Sequence, residues 1–542
     1  MRRYLNLGDG KEGNFTCFQD NGLKGPFAIV TIVFGLCCML TPVLKSGSTA
    51  SVQIWRFLIG MILYALILFL LSQLAKKKIK TGEAALSPKL IYVVCFCSIT
   101  LVGIGYLIVY YPGTGMIDTI VIIKSEGFWA AKQHPWLYLA LVQLLVKTVF
   151  ALGGGYEAAL VSLSVIQILL TAGIYAYALT WLYRRKLNSF LWRIVTLFYF
   201  FFPFLGIMEI CLLKDVPFSL LLFAWMPILF DLYETKGEKL KKKSNLIQIF
   251  LLIFFALLRN NGIYVCFFIL LCILIVTPSQ WKAQLPLWFV LFAVILTNYV
   301  FESSNNITHL FKETVGIPLQ QIAAVVYYDG EITEDQAEFI DQVLSLEFIK
   351  ENYNPYSADT LKWGGAPLDN DFLNSHKVEF LKTWAGMLPA NFGIYVKAYL
   401  QNTYGFWSLD NSRSSPGFTT LYAENTADWL EEEEIGIKCI LPTQVQEMIE
   451  SHLTPLTKAI GSGTAFWIFV LLLFATGAKY GWRSMIIGAP IIGNWITIMI
   501  STPVAYQWRY VYSIAMAIPF LFSIVFLNKE SQMSQDDAEQ SE

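Results

Sequence analysis

The chain has 542 residues, of which 56% are hydrophobic and 15% charged, with a net charge of -1 and a mean hydropathy of +0.53. Soluble globular chains carry about 25% charged residues, so the composition excludes an ordinary soluble protein and points to an all-α polytopic membrane protein. The Lys/Arg clusters are short and lie between apolar runs, which leaves nucleic-acid binding without support.

Met1 to Pro26 is polar and shows no cleavable signal pattern. Apolar runs of bilayer-spanning length follow. They predict membrane segments at 26–44, 52–75, 89–111, 157–182, 189–210, 216–232, 246–258, 263–277, 284–303, 463–479, 485–501 and 510–528. The short basic loops set the orientation. Arg2-Arg3, Lys76 to Lys78, Arg184-Arg185-Lys186, Lys239 to Lys243, and Lys479 with Arg483 are expected in the cytoplasm. Counting 136–152 as a crossing would put two of these clusters outside. It is therefore read as a helix along the outer interface, with Gln143 and Lys147 turned to the headgroups. Twelve spans remain.

The expected organisation has five parts. Residues 1–88 carry an N-terminal cytoplasmic segment and two extra membrane helices. Residues 89–303 form the membrane core. Residues 304–460 form a polar insert of mixed helix and loop, including a helix-like stretch from Glu334 to Glu351. Residues 461–528 hold the last three spans, and 529–542 read as a disordered acidic tail. Most of the nine cysteines lie in apolar runs and the four histidines show no metal-ligand spacing. No disulfide framework is expected in the insert.

Charged residues gather at the predicted outer ends of the spans. Asp118 follows Tyr111-Pro112-Gly113-Thr114-Gly115 after a membrane segment. A carboxylate there could act as a general base, hold a divalent ion such as Mg or Mn, or cap the helix that starts at this point. His134-Pro135 fits either a phosphate-contacting or catalytic histidine or a plain helix start. Lys214-Asp215-Val216-Pro217 offers a phosphate-binding lysine and a second acid, or an interfacial ion pair. Glu209, six residues upstream of Asp215, could join it.

Arg259-Asn260-Asn261-Gly262 separates two short apolar segments. It reads as the tip of a hairpin inside a polar cavity, or as a surface turn in which Asn-Asn-Gly supplies positive φ. Gln507, Arg509 and Tyr510 lie between the last two spans. Arg259 and Arg509 are the best phosphate clamps, because a guanidinium presents a planar fork of donors; the bland reading of Arg509 is a snorkelling side chain in an aromatic belt. A phosphate-binding P-loop, zinc motifs, nucleophile elbows and dinucleotide fingerprints are absent from the sequence.

Taken together, Tyr111-Pro112-Gly113 with Asp118, Lys214-Asp215 before Pro217, and Leu258-Arg259-Asn260-Asn261-Gly262 resemble the GT-C superfamily of membrane glycosyltransferases. That superfamily includes protein O-mannosyltransferases, lipid A aminoarabinose transferases and oligosaccharyltransferases. The motifs most closely resemble an uncharacterised bacterial family within it. The resemblance covers roughly 89–303 and loosely the last three spans. It implies a GT-C-like bundle with an essential acid in the first outer loop, at Asp118, and a further acidic site at Asp215. It also implies a polyprenyl-phosphate sugar donor, a lipid, glycan or protein acceptor, and an active site facing out of a bacterial plasma membrane. Arg259, Arg509 and Lys214 would neutralise the leaving phosphate. Asp215 is followed by Val216 and Pro217 rather than by a second acid, which departs from the metal-linked motif of some members. Rival readings are a lipid-linked polysaccharide polymerase or ligase, and a lipid-sugar transporter.

Overall fold

The computed structural model describes residues 23–528 except 48, 83–84, 126, 364, 413–434, 436–438 and 502–503. The predicted tail, 529–542, lies outside the described residues. Among those residues the structure is helical, with only isolated bridges in place of strands. Among the described residues nine helices are long and apolar enough to cross a membrane, and a bent pair makes a tenth. The chain is an all-α polytopic membrane protein.

The core runs through α1 (Lys24–Ser46), α2 (Ile54–Lys76), α3 (Pro88–Val109), α4 (Ile117–Lys124), α5 (Trp136–Ala151), α6 (Tyr156–Arg184), α7 (Ser189–Phe201), α8 (Pro203–Glu209), α9 (Asp215–Glu234), α10 (Lys243–Phe254), α11 (Gly262–Val276) and α12 (Trp281–Ser304). Local sequence sets many boundaries. Ser87 accepts from Leu90 N–H at 3.2 Å, with Pro88 at the first helical position. Asn188 caps α7. Pro203 lacks an N–H, and there the chain bends by 49° between α7 and α8. Gly47 closes α1 in the left-handed region.

The spans alternate in direction, so the molecule has two ends. At one end Tyr183 Oη accepts from Leu86 N–H and Tyr233 Oη donates to the Tyr480 carbonyl. This end carries Arg184, Arg185 and Lys239. At the other end Thr114 pairs with Cys211, and Lys45 reaches Asp410 in the insert at 2.9 Å. It is called the site end below. Helix α11 has 15 residues, about 22 Å of rise, shorter than the roughly 30 Å hydrocarbon core.

Helix α5 is amphipathic, but not in the way the sequence suggested. Gln143 is buried, and its Nε2 donates to the carbonyls of Ser125 at 2.8 Å and Gly127 at 2.5 Å. The outward face carries Leu141, Leu144, Lys147 and Phe150. Gln143 therefore ties down the turn after α4 instead of meeting headgroups. The two carbonyls that it serves explain the inversion, since buried backbone acceptors need donors.

The insert builds its own apolar cluster, with Leu319, Ile322, Phe339, Leu373, Phe380 and Tyr395 among its buried members. The stretch predicted as helical from Glu334 to Glu351 is two helices, Glu334–Val343 and Leu346–Asn352, each with its own cap at Thr333 or Ser345. The insert docks on the site end. Ala505 N–H bonds the Tyr356 carbonyl at 2.9 Å, Ser357 pairs with Val504, and Leu310 N–H reaches the Lys132 carbonyl at 3.3 Å.

Candidate functional site

The segment after α3 is stapled to the segment before α9. Thr114 N–H donates to the Ile210 carbonyl at 3.1 Å, and Leu212 N–H returns to the Thr114 carbonyl at 2.8 Å. Thr119 Oγ1 donates to the Leu212 carbonyl at 2.7 Å, and Gln167 Nε2 to that of Cys211 at 2.7 Å. Gly113 holds φ of 132°, and a Cβ there would lie 2.4 Å from Ser164 Oγ. These bonds set Asp118 opposite Lys214, 96 residues away in sequence.

Asp118 is not the helix cap. Met116 occupies that position, and Asp118 sits in the first turn of α4, where an acid favours the helix dipole. Its Oδ2 lies 3.4 Å from Lys214 Nζ and 3.1 Å from Arg509 Nη1. The side chain is 26% exposed, more than that of Lys214 or Arg509, so a solute can reach it. Burial by itself would raise the carboxyl pKa, but Lys214 and Arg509 overcome that and hold it well below the usual carboxylate range.

His134 is 4% exposed. Its Nδ1 lies 3.0 Å from Lys214 Nζ. An ammonium only donates, so Nδ1 accepts and the imidazole is neutral with its proton on Nε2. Burial, aided by the Lys214 charge, pushes its pKa down to about 3.

The second acid, Asp215, is 1% exposed. Arg259 Nε lies 3.2 Å from its Oδ1, an ion pair whose angles are not those of a hydrogen bond. Both Asp215 oxygens, Arg259 Nη1 and Arg509 Nε are buried without a hydrogen-bond partner among the described residues. Buried polar atoms are normally satisfied. Four such atoms on three neighbouring charged groups mark a place built for a polar ligand.

Arg259 and Arg509 are joined through Tyr510. The Arg259 guanidinium carbon is 5.2 Å from the Tyr510 ring centre and that of Arg509 is 4.8 Å away, while Arg509 Nη2 donates to Tyr510 Oη at 2.9 Å. Asn494 Nδ2 holds the Tyr510 carbonyl at 2.8 Å, and Asn261 Nδ2 reaches Asn494 Oδ1 at 3.2 Å and Thr497 Oγ1 at 2.6 Å. The tip 259–262 needs no positive φ. Gly262 is required by close approach, since a Cβ would lie 2.0 Å from the Ala256 carbonyl oxygen.

The structure thus gathers Asp118, His134, Lys214, Asp215, Arg259, Arg509 and Tyr510, with Asn261 as a support. Asn260 is exposed and reaches only the Gln133 carbonyl, at 3.5 Å. Gln507 contributes its backbone carbonyl to Tyr510 N–H at 3.3 Å, and among the described residues no hydrogen bond joins its side chain to the cluster. Glu209 does not join either. It is buried against Gly103 and Ile168, with Oε1 unpartnered. Asn494 was missed in the sequence. Its signal was available, a lone amide inside an apolar span.

The donor set does not fit a divalent ion. The Asp118 oxygen that would bind it already faces two cations, and among the described residues no three acidic, histidine or cysteine side chains converge. Mg needs near-octahedral oxygen ligands. The arrangement fits an anion with several oxygens. No curated protein and no solved structure matches the chain. A family model described as "Family of unknown function (DUF6020)" matches residues 128–540, which include every site residue except Asp118, and the chain belongs to that family.

Proposed function

We propose that the protein is an integral membrane glycosyltransferase of the GT-C type. It moves one sugar from a polyprenyl-phosphate donor to a lipid, glycan or protein acceptor at the outer face of a bacterial plasma membrane. One observation carries this reading: Asp118 is partly exposed within a cluster of three cations, two of them arginines with unsatisfied donors. The topology that accompanies it has twelve crossings. The two beyond the nine long apolar helices and the bent pair are the short α10 and α11, and the α5 helix lies at the interface. The basic loops then face the cytoplasm, and the site faces outward.

In the proposed reaction the acceptor hydroxyl attacks the anomeric carbon. The bond from that carbon to the phosphate oxygen breaks, and its electron pair leaves on the phosphate. The acceptor proton passes to Asp118, and direct displacement inverts the centre. Lys214, Arg259 and Arg509 stabilise the charge that develops on the leaving group. Clamped by cations, Asp118 is a weak base, since a good base has a pKa near the working pH. A bound phosphate draws Lys214 and Arg509 toward itself and restores basicity to the carboxylate. The base is thereby strengthened when the donor is present.

The unsatisfied arginine nitrogens also favour a second reading, a polymerase or ligase that joins lipid-linked glycans and relies on arginine more than on Asp118. One experiment separates the two. Purified protein is given radiolabelled polyprenyl-phosphate sugars, and release of polyprenyl phosphate is followed. Asp118→Asn should lower turnover by about a hundred- to ten-thousandfold, the loss expected when a general base is removed. A variant that folds and keeps full activity would falsify the role of base. Wild type that acts only on lipid-linked oligosaccharides supports the ligase.

A further inference from the structure

The insert carries a polar cluster that the proposed reaction leaves unused. Lys312 and Lys362 are both buried, and lysine is seldom fully buried unless it is paired. Lys362 Nζ lies 3.3 Å from Asp359 Oδ1 and 3.4 Å from Glu313 Oε1. Lys312 Nζ donates to the Lys362 carbonyl at 2.9 Å and sits 3.5 Å from the centre of the Trp363 ring. Trp363 Nε1 donates to Glu313 Oε1 at 3.1 Å. Two buried ammoniums thus fix two carboxylates and an indole, and these three groups still reach solvent. The Asp359 side chain is 37% exposed, that of Glu313 35%, and Trp363 38%.

Both segments of the cluster are anchored to segments that carry the site. Leu310, just before Lys312, bonds through its N–H to the carbonyl of Lys132, just before His134. Ser357, just before Asp359, pairs with Val504, and the Tyr356 carbonyl accepts from Ala505 N–H at 2.9 Å, on the approach to Arg509. Asp359 is near enough for its charge to act on Tyr510, the ring that the Arg259 and Arg509 guanidiniums share.

The charges of Lys312, Glu313, Asp359 and Lys362 balance, so the cluster has no excess with which to select an ion. Its exposed parts suit a neutral ligand with two kinds of surface. Carboxylates accept from hydroxyls in charge-assisted bonds, stronger than neutral ones. A clamped indole offers a large apolar face at little cost in entropy. A pyranose has both, a rim of hydroxyls and a face of C–H groups.

We infer that Asp359, Glu313 and Trp363 hold the sugar ring of the donor while its phosphate lies on Arg259 and Arg509. The inference rests on the sugar-transfer reading and divides the labour within it: the membrane core takes the phosphate and the insert selects the sugar. Lys312 and Lys362 are positioning residues, which set the carboxylates and the indole from behind.

The full chain, purified in detergent, is titrated with polyprenyl phosphate and with polyprenyl-phosphate glucose, mannose and galactose. Bound lipid is counted by native mass spectrometry. Wild type should hold at least one sugar lipid about tenfold or more tightly than polyprenyl phosphate, the gain expected from hydrogen bonds to charged groups. Asp359→Asn and Trp363→Ala should each remove most of that gain. Both should bind polyprenyl phosphate as wild type does, which shows that they are folded. Trp363→Phe keeps a flat ring and should keep more of the gain than Trp363→Ala. Wild type that holds every sugar lipid no better than polyprenyl phosphate, or a gain that survives in both variants, overturns the subsite. Wild type that binds none of the four lipids overturns the sugar-transfer reading itself.

Discussion

Two charged clusters sit at opposite ends of the bundle, made from the same residue types and finished differently. At the basic end, every oxygen of Asp231 has a donor with hydrogen-bond geometry: Trp181, Arg185 and Lys239. At the site end, Asp215 has an ion pair with Arg259 but no hydrogen bond among the described residues, where both arginines also keep an unused nitrogen. Burying charge is costly unless it is paired and bonded. A cluster whose members satisfy one another serves the fold. Charges held close to each other and left unsatisfied are kept ready for something else. The contrast is not absolute, because Glu234 Oε1 at the basic end also lacks a partner. It is the core of each cluster that differs.

The sharpest way to break the comparison is to neutralise one guanidinium at the site end. Arg509→Gln should cost roughly a hundred- to a thousandfold in sugar transfer, the range seen when a donor to developing charge is lost. Its unfolding midpoint should move little, because the lost partner, Asp118, is partly exposed and still has Lys214. If the midpoint collapses and the folded fraction remains fully active, the two clusters have been assigned the wrong way round.

The converse test lies at the basic end. Asp231→Asn removes the charge that Arg185 and Lys239 share and leaves one carbonyl oxygen where two oxygens serve three donors. Breaking a buried pair from one side costs about 3 kcal/mol, so the midpoint should fall by several degrees while turnover of the folded protein stays near wild type. A smaller loss, about 1–2 kcal/mol, is expected for Gln143→Leu, which strips the donors from the Ser125 and Gly127 carbonyls. Both are read as thermal unfolding in the same detergent.

Nine of the twelve predicted spans are helices long and apolar enough to cross a membrane, and 189–210 is the bent pair, because apolar runs of bilayer length leave a strong signal. The sequence also exposed the site. In a chain this poor in charge, Asp118, Lys214, Asp215, Arg259 and Arg509 stand out, and all five converge. What it could not give was partnership. Nothing in the spacing says that Lys214 serves Asp118 while Arg259 serves its neighbour Asp215. That is decided by the staple between Thr114 and Cys211 and by the contact of Asn261 with Asn494, both between segments far apart in sequence. Orientation of α5 was misread for a related reason. Its pattern admits either face, and the deciding factor was a pair of carbonyls in the preceding turn. Gly262 illustrates the same limit. The residue was noticed, but the reason for it is the Ala256 carbonyl six residues earlier and not its own φ.

The smallest effect comes from His134, and it sharpens the comparison by following one group. Folded His134 is neutral with its pKa pushed down to about 3 by burial and Lys214, while in the unfolded chain it has the ordinary value of about 6.5. Between these values the unfolded state binds one more proton than the folded state. Stability therefore rises with pH across this window and falls as the medium is acidified below about 6.5. Asp118 acts in the same direction, but in a lower range. Its carboxyl is held below the ordinary value of about 3.9, so the stability it gives is present above that value and is lost as pH falls through its folded pKa. The difference in thermal unfolding between wild type and a His134 variant from about pH 6.5 to 4.5 consequently reports the histidine. His134→Gln should flatten the slope by close to one proton in that range, while keeping an acceptor for Lys214. An unchanged slope would mean that His134 is charged in the folded protein. Lys214 Nζ could not then donate to it, and the cation would be released wholly to Asp118.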